Sequence, residues 1–306
     1  MKALHVLRRV APWAIFIAAA TVMVFQFDWV ALWAVLEHIN LLMAFGAGTA
    51  AVIVCYVLRG IRTWMLLRRL NVRIPMGDCV LSQCVGGGLA SVTPGQMGEA
   101  IRVEMLRSAG HLERGVGYAV FLGERFIDLV VLVLGGLIVI LLDVEQHQQH
   151  QFVLTIAAVA CGIVLLALVF LAFGPCPGRL AAMQPHLRPM LVRADVLAIN
   201  LFGSALSWAV IVLQWHLMLN AVGIDLSVIN LIQLVVIVML AVIASLVPGG
   251  FAVSEIVAAA LLVQWGIVAG QAEAGAVALR LPGLEAGLVG WVAWLWWRHT
   301  RRSACN

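Results

Sequence analysis

Charged residues are scarce in this sequence. Lys, Arg, Asp and Glu make up 11% of its 306 residues, whereas hydrophobic residues make up 63% and the mean hydropathy is +1.05. A soluble domain of this length carries about 25% charged residues. The composition therefore argues against a soluble domain, and several apolar runs approach the roughly 20 residues that a membrane-spanning helix needs. The sequence predicts an all-α integral membrane protein in which residues 1–306 form one membrane domain.

Cysteines are few and scattered. None of the six belongs to a C-x-x-C pair, and most lie in apolar runs, where cysteine behaves as a small hydrophobic residue. The sequence therefore predicts no disulfide framework, no metal site and no cofactor. The net charge of +4 comes largely from basic residues near the ends of apolar runs, which indicates loop topology rather than a nucleic-acid surface.

Six apolar runs are long enough to be full membrane spans. They are 10–27, 39–59, 116–142, 152–174, 197–220 and 276–298. Basic residues concentrate in alternate loops, among them Arg59 and Arg62 after the second run and Arg102 before the third. The loops between these, such as 28–38 and 143–151, contain neither Lys nor Arg. This distribution predicts that both termini lie in the cytoplasm. The expected location is the bacterial inner membrane, with the first run interpreted as an uncleaved helix.

A short motif occurs once in each half of the chain. Residues 90–95 read Ala-Ser-Val-Thr-Pro-Gly, and residues 244–249 read Ala-Ser-Leu-Val-Pro-Gly. Each copy follows an apolar run and precedes a glutamate, and an arginine follows each proline by 31 or 32 residues. Paired interruptions of this kind in the two halves of a membrane protein point to a transport site at an internal pseudo-symmetry axis.

The segments around these motifs do not read as simple spans. Residues 79–93 rise only about 22 Å as a helix, and the stretch after them is too charged to face lipid. We expect a re-entrant helical hairpin that turns at Pro94-Gly95. By analogy a second hairpin is expected within 228–270, although two full spans are the alternative there. The predicted fold has six spans and two inverted re-entrant hairpins, with half-repeats 39–142 and 197–298.

The two turns are the first candidate binding elements. Proline suits the first turn of a helix and glycine permits close approach of a ligand, so the arm after each turn would offer N–H groups to an anion. A tight turn between packed helices is the alternative interpretation. The turn residues are Pro94, Gly95, Pro248, Gly249 and Gly250. The hydroxyl groups of Ser91, Thr93 and Ser245 can donate to a lipid head group or to their own helix backbone.

Two arginines are the candidate phosphate ligands. Arg125 lies between Glu124 and Asp128, which share a helix face inside the third span. Arg125 offers either its planar guanidinium to a phosphate or an internal ion pair, for which Glu99 is one candidate partner. Arg280 is its counterpart in the second half, with snorkelling to the interface as the alternative.

Two glutamates follow the turns directly. Glu99 and Glu255 are candidate counter-charges for the arginines, or carboxyl groups that burial adapts to carry a proton. A plain first-turn acid that complements a helix dipole is the simpler interpretation. Together with Glu124 and Asp128, they form the predicted coupling or ion-pair set.

These motifs together resemble the lysylphosphatidylglycerol synthase transmembrane family, also called flippase-like domain proteins. The resemblance covers about residues 10–300 and rests on 93–99, Arg102, the Glu124-Arg125 pair with Asp128, and 248–255. It implies a membrane flippase, which in bifunctional members moves aminoacylated phosphatidylglycerol outward after an appended cytosolic domain has made it. Because this chain ends at Asn306, soon after the last predicted span, the synthase domain is expected to be absent.

The function expected from the sequence is translocation of a polar or anionic lipid between leaflets by alternating access. Two other classes stay open: a membrane-embedded lipid head-group transferase, and a non-catalytic partner of a lipid-synthesis complex. A membrane lipid is the expected substrate, and a lipid-synthesis enzyme is the candidate protein partner. Nucleic acid is not expected to bind, and the sequence does not determine the oligomeric state.

Overall fold

The computed structural model is helical throughout most of the residues that it describes. These are 17–18, 20–25, 27–37, 41–93, 97–110, 112–142, 162–163, 166, 170, 174, 179–245 and 247–305. They contain no β-strand, which confirms the predicted all-α class. Most of the predicted spans 10–27 and 152–174 lies outside the described residues, as does the Pro94-Gly95 turn.

The described helices are joined by short connections except between residues 142 and 179, where most of the chain lies outside the described residues. In chain order they are α1 (Trp29–Leu36), α2 (Leu41–Arg69), α3 (Met76–Ala90), α4 (Ile101–Ser108), α5 (Arg114–Leu142), α6 (Arg179–Val192), α7 (Ala194–Ala221), α8 (Val228–Ser245), α9 (Val253–Gln264), α10 (Ala269–Ala278) and α11 (Leu281–Cys305). A short 3₁₀ turn, Met97–Ala100, leads into α4.

Four segments of the described chain are long and apolar enough to cross a membrane. They are Phe45–Arg69, Ala194–Ala221, Val228–Ser245 and Ala269–Thr300. The protein is therefore a multi-pass membrane protein, while the total of six spans and the two hairpins stay predictions. The predicted third span is one unbroken helix, α5. The segment 228–270, where a second hairpin is predicted, contains the 18-residue α8 and the 12-residue α9.

Helix α2 is longer than the span predicted from the sequence. It continues to Arg69 instead of ending near residue 59, so Arg59 and Arg62 lie within the helix. Both are buried, at 8% and 2% exposure, and so is Arg102 of α4. The sequence analysis counted these three arginines among the basic residues that mark the cytoplasmic side. Arg62 and Arg102 are instead held by carboxylates inside the protein, and a buried charge of this kind carries no information about loop orientation.

The chain forms two compact units, each assembled from separated stretches of sequence. One comprises 54–83 and 100–210, and we call it the ion-pair unit. The other comprises 1–53, 84–99 and 211–306, and we call it the turn unit. The described part of the ion-pair unit includes an apolar core that contains Leu66, Val103 and Met190. The predicted half-repeats, 39–142 and 197–298, stay a prediction.

In the turn unit, α3 and α11 approach each other through glycines. A Cβ added to Gly88 would lie 2.8 Å from the Gly290 Cα, and a Cβ added to Gly290 would lie 2.8 Å from the Cys84 carbonyl oxygen. Both obstacles are backbone atoms, which cannot turn aside as a flexible side chain can. Small residues therefore set the separation of these two helices, as they do at many helix crossings in membranes.

Gly290→Ala is expected to destabilise the turn unit by about 1–3 kcal/mol, because the new methyl group forces α3 and α11 apart. The matched control is Gly283→Ala on the same helix, where an added Cβ meets no atom of the described residues within 4 Å. Thermal unfolding of the detergent-purified variants measures the difference. Equal melting temperatures for the two variants would show that the crossing is not tightly packed.

Glu104 of α4 lies outside the four candidate spans and gathers three donors. Arg114 donates to its two oxygens over 3.1 Å each, Arg107 donates over 3.1 Å, and Tyr118 donates over 3.2 Å. The hydrogen bonds from the Arg114 guanidinium are the main cause that lowers the pKa of Glu104. The contribution of this carboxylate to stability is therefore present above the pKa of the unfolded chain, about 4.3, and is lost as the pH falls through the lower folded pKa.

Glu104→Gln is expected to lower the melting temperature slightly at neutral pH, since the contacts are solvent-exposed and screened. The difference from wild type should shrink on acidification below about pH 4, where the wild-type carboxylate also becomes protonated. Glu113→Gln, which removes a nearby exposed carboxylate, is the control. A difference that grows on acidification would contradict the assigned direction.

Candidate functional site

The two carboxylates of α5 lie in a buried network of the ion-pair unit. Arg102 Nη2 donates to Glu124 Oε2, and Thr63 Oγ1 donates to Glu124 Oε1 over 2.6 Å. Arg62 Nη1 donates to Asp128 Oδ1 over 2.5 Å. Because residues four apart share a helix face, Glu124 and Asp128 point the same way and are reached by donors from α2 and α4. The two carboxylates were predicted to share one face of the helix, and the structure buries both of them on that face.

Three further residues form hydrogen bonds with this network. Ser204 Oγ donates to Asp128 Oδ1 over 2.7 Å, and Trp208 Nε1 donates to the Asp128 carbonyl oxygen over 3.0 Å. Gln83 accepts a hydrogen bond from Arg102 Nη1 over 2.5 Å. A buried charge is tolerated where it is both paired and hydrogen-bonded, and these residues meet that requirement for Asp128 and Arg102.

Arg125 lies at the edge of the network, one residue round the helix from Glu124. Its Nη2 is 2.9 Å from Asp128 Oδ2, and 23% of its side chain is exposed. Arg125 thus forms an ion pair with Asp128, three residues along the same helix, and the pairing with Glu99 that was considered from the sequence stays a prediction. Glu99 itself is buried in the Met97–Ala100 turn of the turn unit.

Arg62 was not predicted as a site residue from the sequence, and Arg102 was considered only as a loop residue and as part of the family motif. One signal could have found Arg62: carboxylates inside a span need buried cations, and Arg62 follows the apolar run 39–59 with no proline between them. That signal indicates the need for a partner. It does not indicate which of the neighbouring arginines supplies it.

The second candidate site, in the turn unit, is the Pro248 turn between α8 and α9. Three of its residues have positive φ: Gly249 at 56°, Gly250 at 68° and Ala252 at 64°. Glycine adopts this backbone without steric penalty, which is why the sequence carries Gly-Gly there. Ala252 precedes α9 and makes no side-chain capping hydrogen bond, so the helix begins without a polar cap.

Arg280 reaches this turn from the connection between α10 and α11. Its Nη1 donates to the Gly249 carbonyl oxygen over 2.8 Å and to Ser254 Oγ over 3.3 Å. Its Nε lies 3.4 Å from Glu255 Oε1, and its guanidinium carbon lies 3.6 Å from the centre of the Phe251 ring. The structure therefore brings three predicted residues together, namely Arg280, Gly249 and Glu255. It adds Phe251 and Ser254, which the sequence analysis did not single out.

One edge of the Arg280 guanidinium stays available. Nε and Nη1 are the atoms engaged in the contacts above, and Nη2 makes no hydrogen bond to any described residue. The side chain is 19% exposed, so it is neither fully buried nor free to swing. Such a pose fixes the plane of the guanidinium and leaves Nη2 without a hydrogen-bond acceptor among the described residues.

The segments that carry the two repeated motifs touch each other. The Gly249 N–H donates to the Thr93 carbonyl oxygen over 3.3 Å, and a Cβ on Gly249 would collide with the Ser91 carbonyl oxygen. Residue 249 must therefore be glycine for this approach as well as for its backbone angle. Whether the contact lies at the membrane midplane and lines a cavity stays a prediction.

The hydroxyl groups near the turns bond to the backbone. Ser91 donates to the Gly88 carbonyl oxygen over 2.7 Å, Thr93 to Leu89 over 2.9 Å, and Ser245 to Val242 over 2.9 Å. These bonds correspond to the second of the two interpretations given above, in which such residues satisfy their own helix. Contact of these hydroxyl groups with a lipid stays a prediction.

The sequence profile described as the lysylphosphatidylglycerol synthase TM region matches residues 10–284, which is most of the chain. The chain belongs to this family. The matched range contains both Pro-Gly motifs, the α5 carboxylates and Arg280. Membership of the lysylphosphatidylglycerol synthase transmembrane family connects the chain with membrane lipids. No curated protein matches the chain.

Proposed function

We propose that the protein is a lipid translocase that moves an anionic or zwitterionic lipid between leaflets, with Arg280 binding the head-group phosphate. The observation that carries this proposal is the pose of Arg280 at the Pro248 turn. A guanidinium held by Nε and Nη1 and stacked on Phe251 presents Nη2 as a fixed donor. Arginine suits phosphate because its planar group donates several hydrogen bonds in a fixed geometry.

The start of α9 supports the same role. Its first N–H groups lack a side-chain cap, and the positive end of the helix dipole favours an anion there. Glu255, in the first turn, supplies the negative charge that Arg280 needs when no lipid is bound. An arriving phosphate would compete with Glu255 for the guanidinium. The site would then alternate between an internal ion pair and a lipid complex.

Arg125 is proposed as a second phosphate ligand along the path, with the buried pairs of Glu124 and Asp128 holding its helix in place. Its partial exposure, at 23% of the side chain, supports this assignment. Arg125→Ala is expected to slow lipid exchange by about tenfold, the equivalent of one charge-assisted hydrogen bond. Because Arg125 pairs with Asp128, thermal unfolding must show that the variant is folded. Exchange at the wild-type rate in a folded variant would remove Arg125 from the path.

The proposed architecture combines both turns in re-entrant hairpins, with six spans and cytoplasmic termini in a bacterial inner membrane. The 12 residues of α9 rise only about 18 Å, short of the roughly 30 Å hydrocarbon layer, which supports a hairpin over two full spans. Alternating access would open and close the contact between Gly249 and Thr93. A lipid-synthesis enzyme stays the proposed protein partner.

Leaflet exchange in proteoliposomes tests the function directly. Vesicles with and without protein receive fluorescent phosphatidylglycerol, phosphatidylethanolamine or a polyprenyl phosphate, and a membrane-impermeant quencher reports the outer leaflet. A phosphate-free glycosyl diacylglycerol with the same label is the matched control. Protein-dependent exchange of a phosphate lipid, with little exchange of the glycolipid, is the expected result. If every phosphate lipid moves no faster than in protein-free vesicles, the proposal fails.

A further inference from the structure

Glu285 of α11 has a buried carboxyl group that belongs to neither of the two candidate sites. The residue is 1% exposed, and neither of its carboxyl oxygens has a hydrogen-bond partner among the described residues. Glu255 pairs with Arg280, and the two carboxylates of α5 are held by arginines. Glu285 differs from all of these because no cation or donor faces it in the described part of the chain.

The space that the carboxyl group occupies is created by a glycine. A Cβ on Gly48 of α2 would collide with the Glu285 carboxyl group, so a side chain at this position would require the carboxyl group to move. The backbone of Gly48 is fixed from the other direction, since Gln214 Nε2 donates to its carbonyl oxygen over 3.0 Å. The carboxyl group is thus packed against helix backbone and is not directed into open space.

The neighbouring elements supply no counter-charge among the residues that the structure describes. The stretch of α2 within the turn unit, 41–53, contains no titratable residue. On α3, Cys84 packs against Gly290, one and a half turns from the acid, and on α7 His216 is hydrogen-bonded to Asn220 over 2.9 Å. Arg280, just before α11, is engaged with Glu255. An ionised carboxylate in such a place would be unsolvated and unpaired, which proteins avoid by keeping the group protonated.

We infer that Glu285 is a proton-binding site, a carboxylic acid that is neutral in this conformation and releases its proton when α2 and α11 separate and water enters. Glu99 and Glu255 are the two proton carriers considered from the sequence. The geometry favours Glu285 over both, because Glu255 is paired with Arg280 and Glu99 also has an interaction partner. The link to lipid movement rests on the proposed translocation: a helix rearrangement that admits the head group would also hydrate the acid.

Reaction with dicyclohexylcarbodiimide tests the proton site without any transport measurement. This apolar reagent modifies protonated carboxyl groups within membranes, and peptide mass spectrometry locates the adduct. Wild-type protein should be modified at Glu285 at neutral pH, and the adduct should be absent from Glu285→Gln. Glu104, which is half-buried, lies outside the candidate spans and is held by arginines, is the internal control and should stay unmodified. If the protein is folded and Glu285 stays unmodified at neutral pH, the inference is overturned.

An imposed pH gradient tests the coupling. If one proton moves with each lipid, a gradient of one pH unit shifts the steady-state distribution of lipid between leaflets by about tenfold. Glu285→Gln mimics the neutral acid and should remove this shift, with thermal unfolding used to confirm that the variant is folded. A shift of equal size in Glu285→Gln would overturn the coupling.

The two experiments separate the failure of this inference from that of the proposed function. Wild-type exchange that ignores the gradient would refute coupling and leave translocation intact. Absence of exchange for every lipid would refute translocation and coupling together, whereas carbodiimide modification would still establish Glu285 as a proton-binding site.

Discussion

Asp128→Ala is expected to destabilise the ion-pair unit by about 3–5 kcal/mol, because it leaves the buried Arg62 guanidinium without its closest carboxylate. Arg62 is 2% exposed, and its Nη1 donates to Asp128 over 2.5 Å. Water cannot replace the lost partner unless the packing opens. Ser204, which also donates to Asp128, loses its acceptor at the same time.

A pair of variants distinguishes the lost charge from the lost side chain. Asp128→Asn keeps an acceptor oxygen and nearly the same volume, yet removes the charge, so most of the destabilisation should persist. The double variant Arg62→Met/Asp128→Leu removes both charges and is expected to recover a substantial part of the loss, since apolar pairs of similar volume replace buried ion pairs well.

Thermal and denaturant unfolding of the detergent-purified proteins measures these differences. Glu113→Gln, at an exposed position just before α5, is the control for loss of an acidic side chain and should unfold with wild type. Wild-type stability of Asp128→Ala would mean that the network does not hold the unit together. A double variant less stable than either single variant would contradict an account based on uncompensated charge.

Arg280→Ala is expected to reduce lipid exchange by about 10- to 100-fold, the range that corresponds to loss of one or two charge-assisted hydrogen bonds to a phosphate. Its partial exposure and its position at the turn, outside the buried network of the ion-pair unit, make unfolding a smaller concern. The substitution also releases Glu255, whose uncompensated charge would repel an anionic head group from the same turn.

Arg280→Lys separates charge from geometry. Lysine keeps the positive charge but lacks the planar group that bonds Gly249 and stacks on Phe251, so exchange should fall well below wild type. Arg298→Ala, at an exposed position on α11, is the control for a lost positive charge and should exchange lipid at the wild-type rate. If Arg280→Ala is folded and exchanges lipid normally, the phosphate site lies elsewhere.

The sequence alone predicted the helical class and the membrane location because both depend on local hydropathy. It also selected Arg280, Glu255 and Gly249 individually, since a charged residue or a Pro-Gly pair in an apolar chain is conspicuous without any structure. Their roles in lipid binding stay predictions. The end of α2 was placed too early because arginine was treated as a residue of the interface, a rule that fails when the guanidinium is buried against a carboxylate.

What only the tertiary structure decided is which groups meet. Arg62 pairs with Asp128 across 66 positions of sequence, and Arg280 lies against Glu255. Glu285 packs against Gly48 and has no counter-charge among the described residues. The sequence shows that a buried charge needs a partner. Which residue becomes the partner depends on how helices distant in the chain cross, and on how closely a glycine lets them approach. Local composition therefore determined that this is a helical membrane protein, and long-range packing determined which of its charged groups are paired.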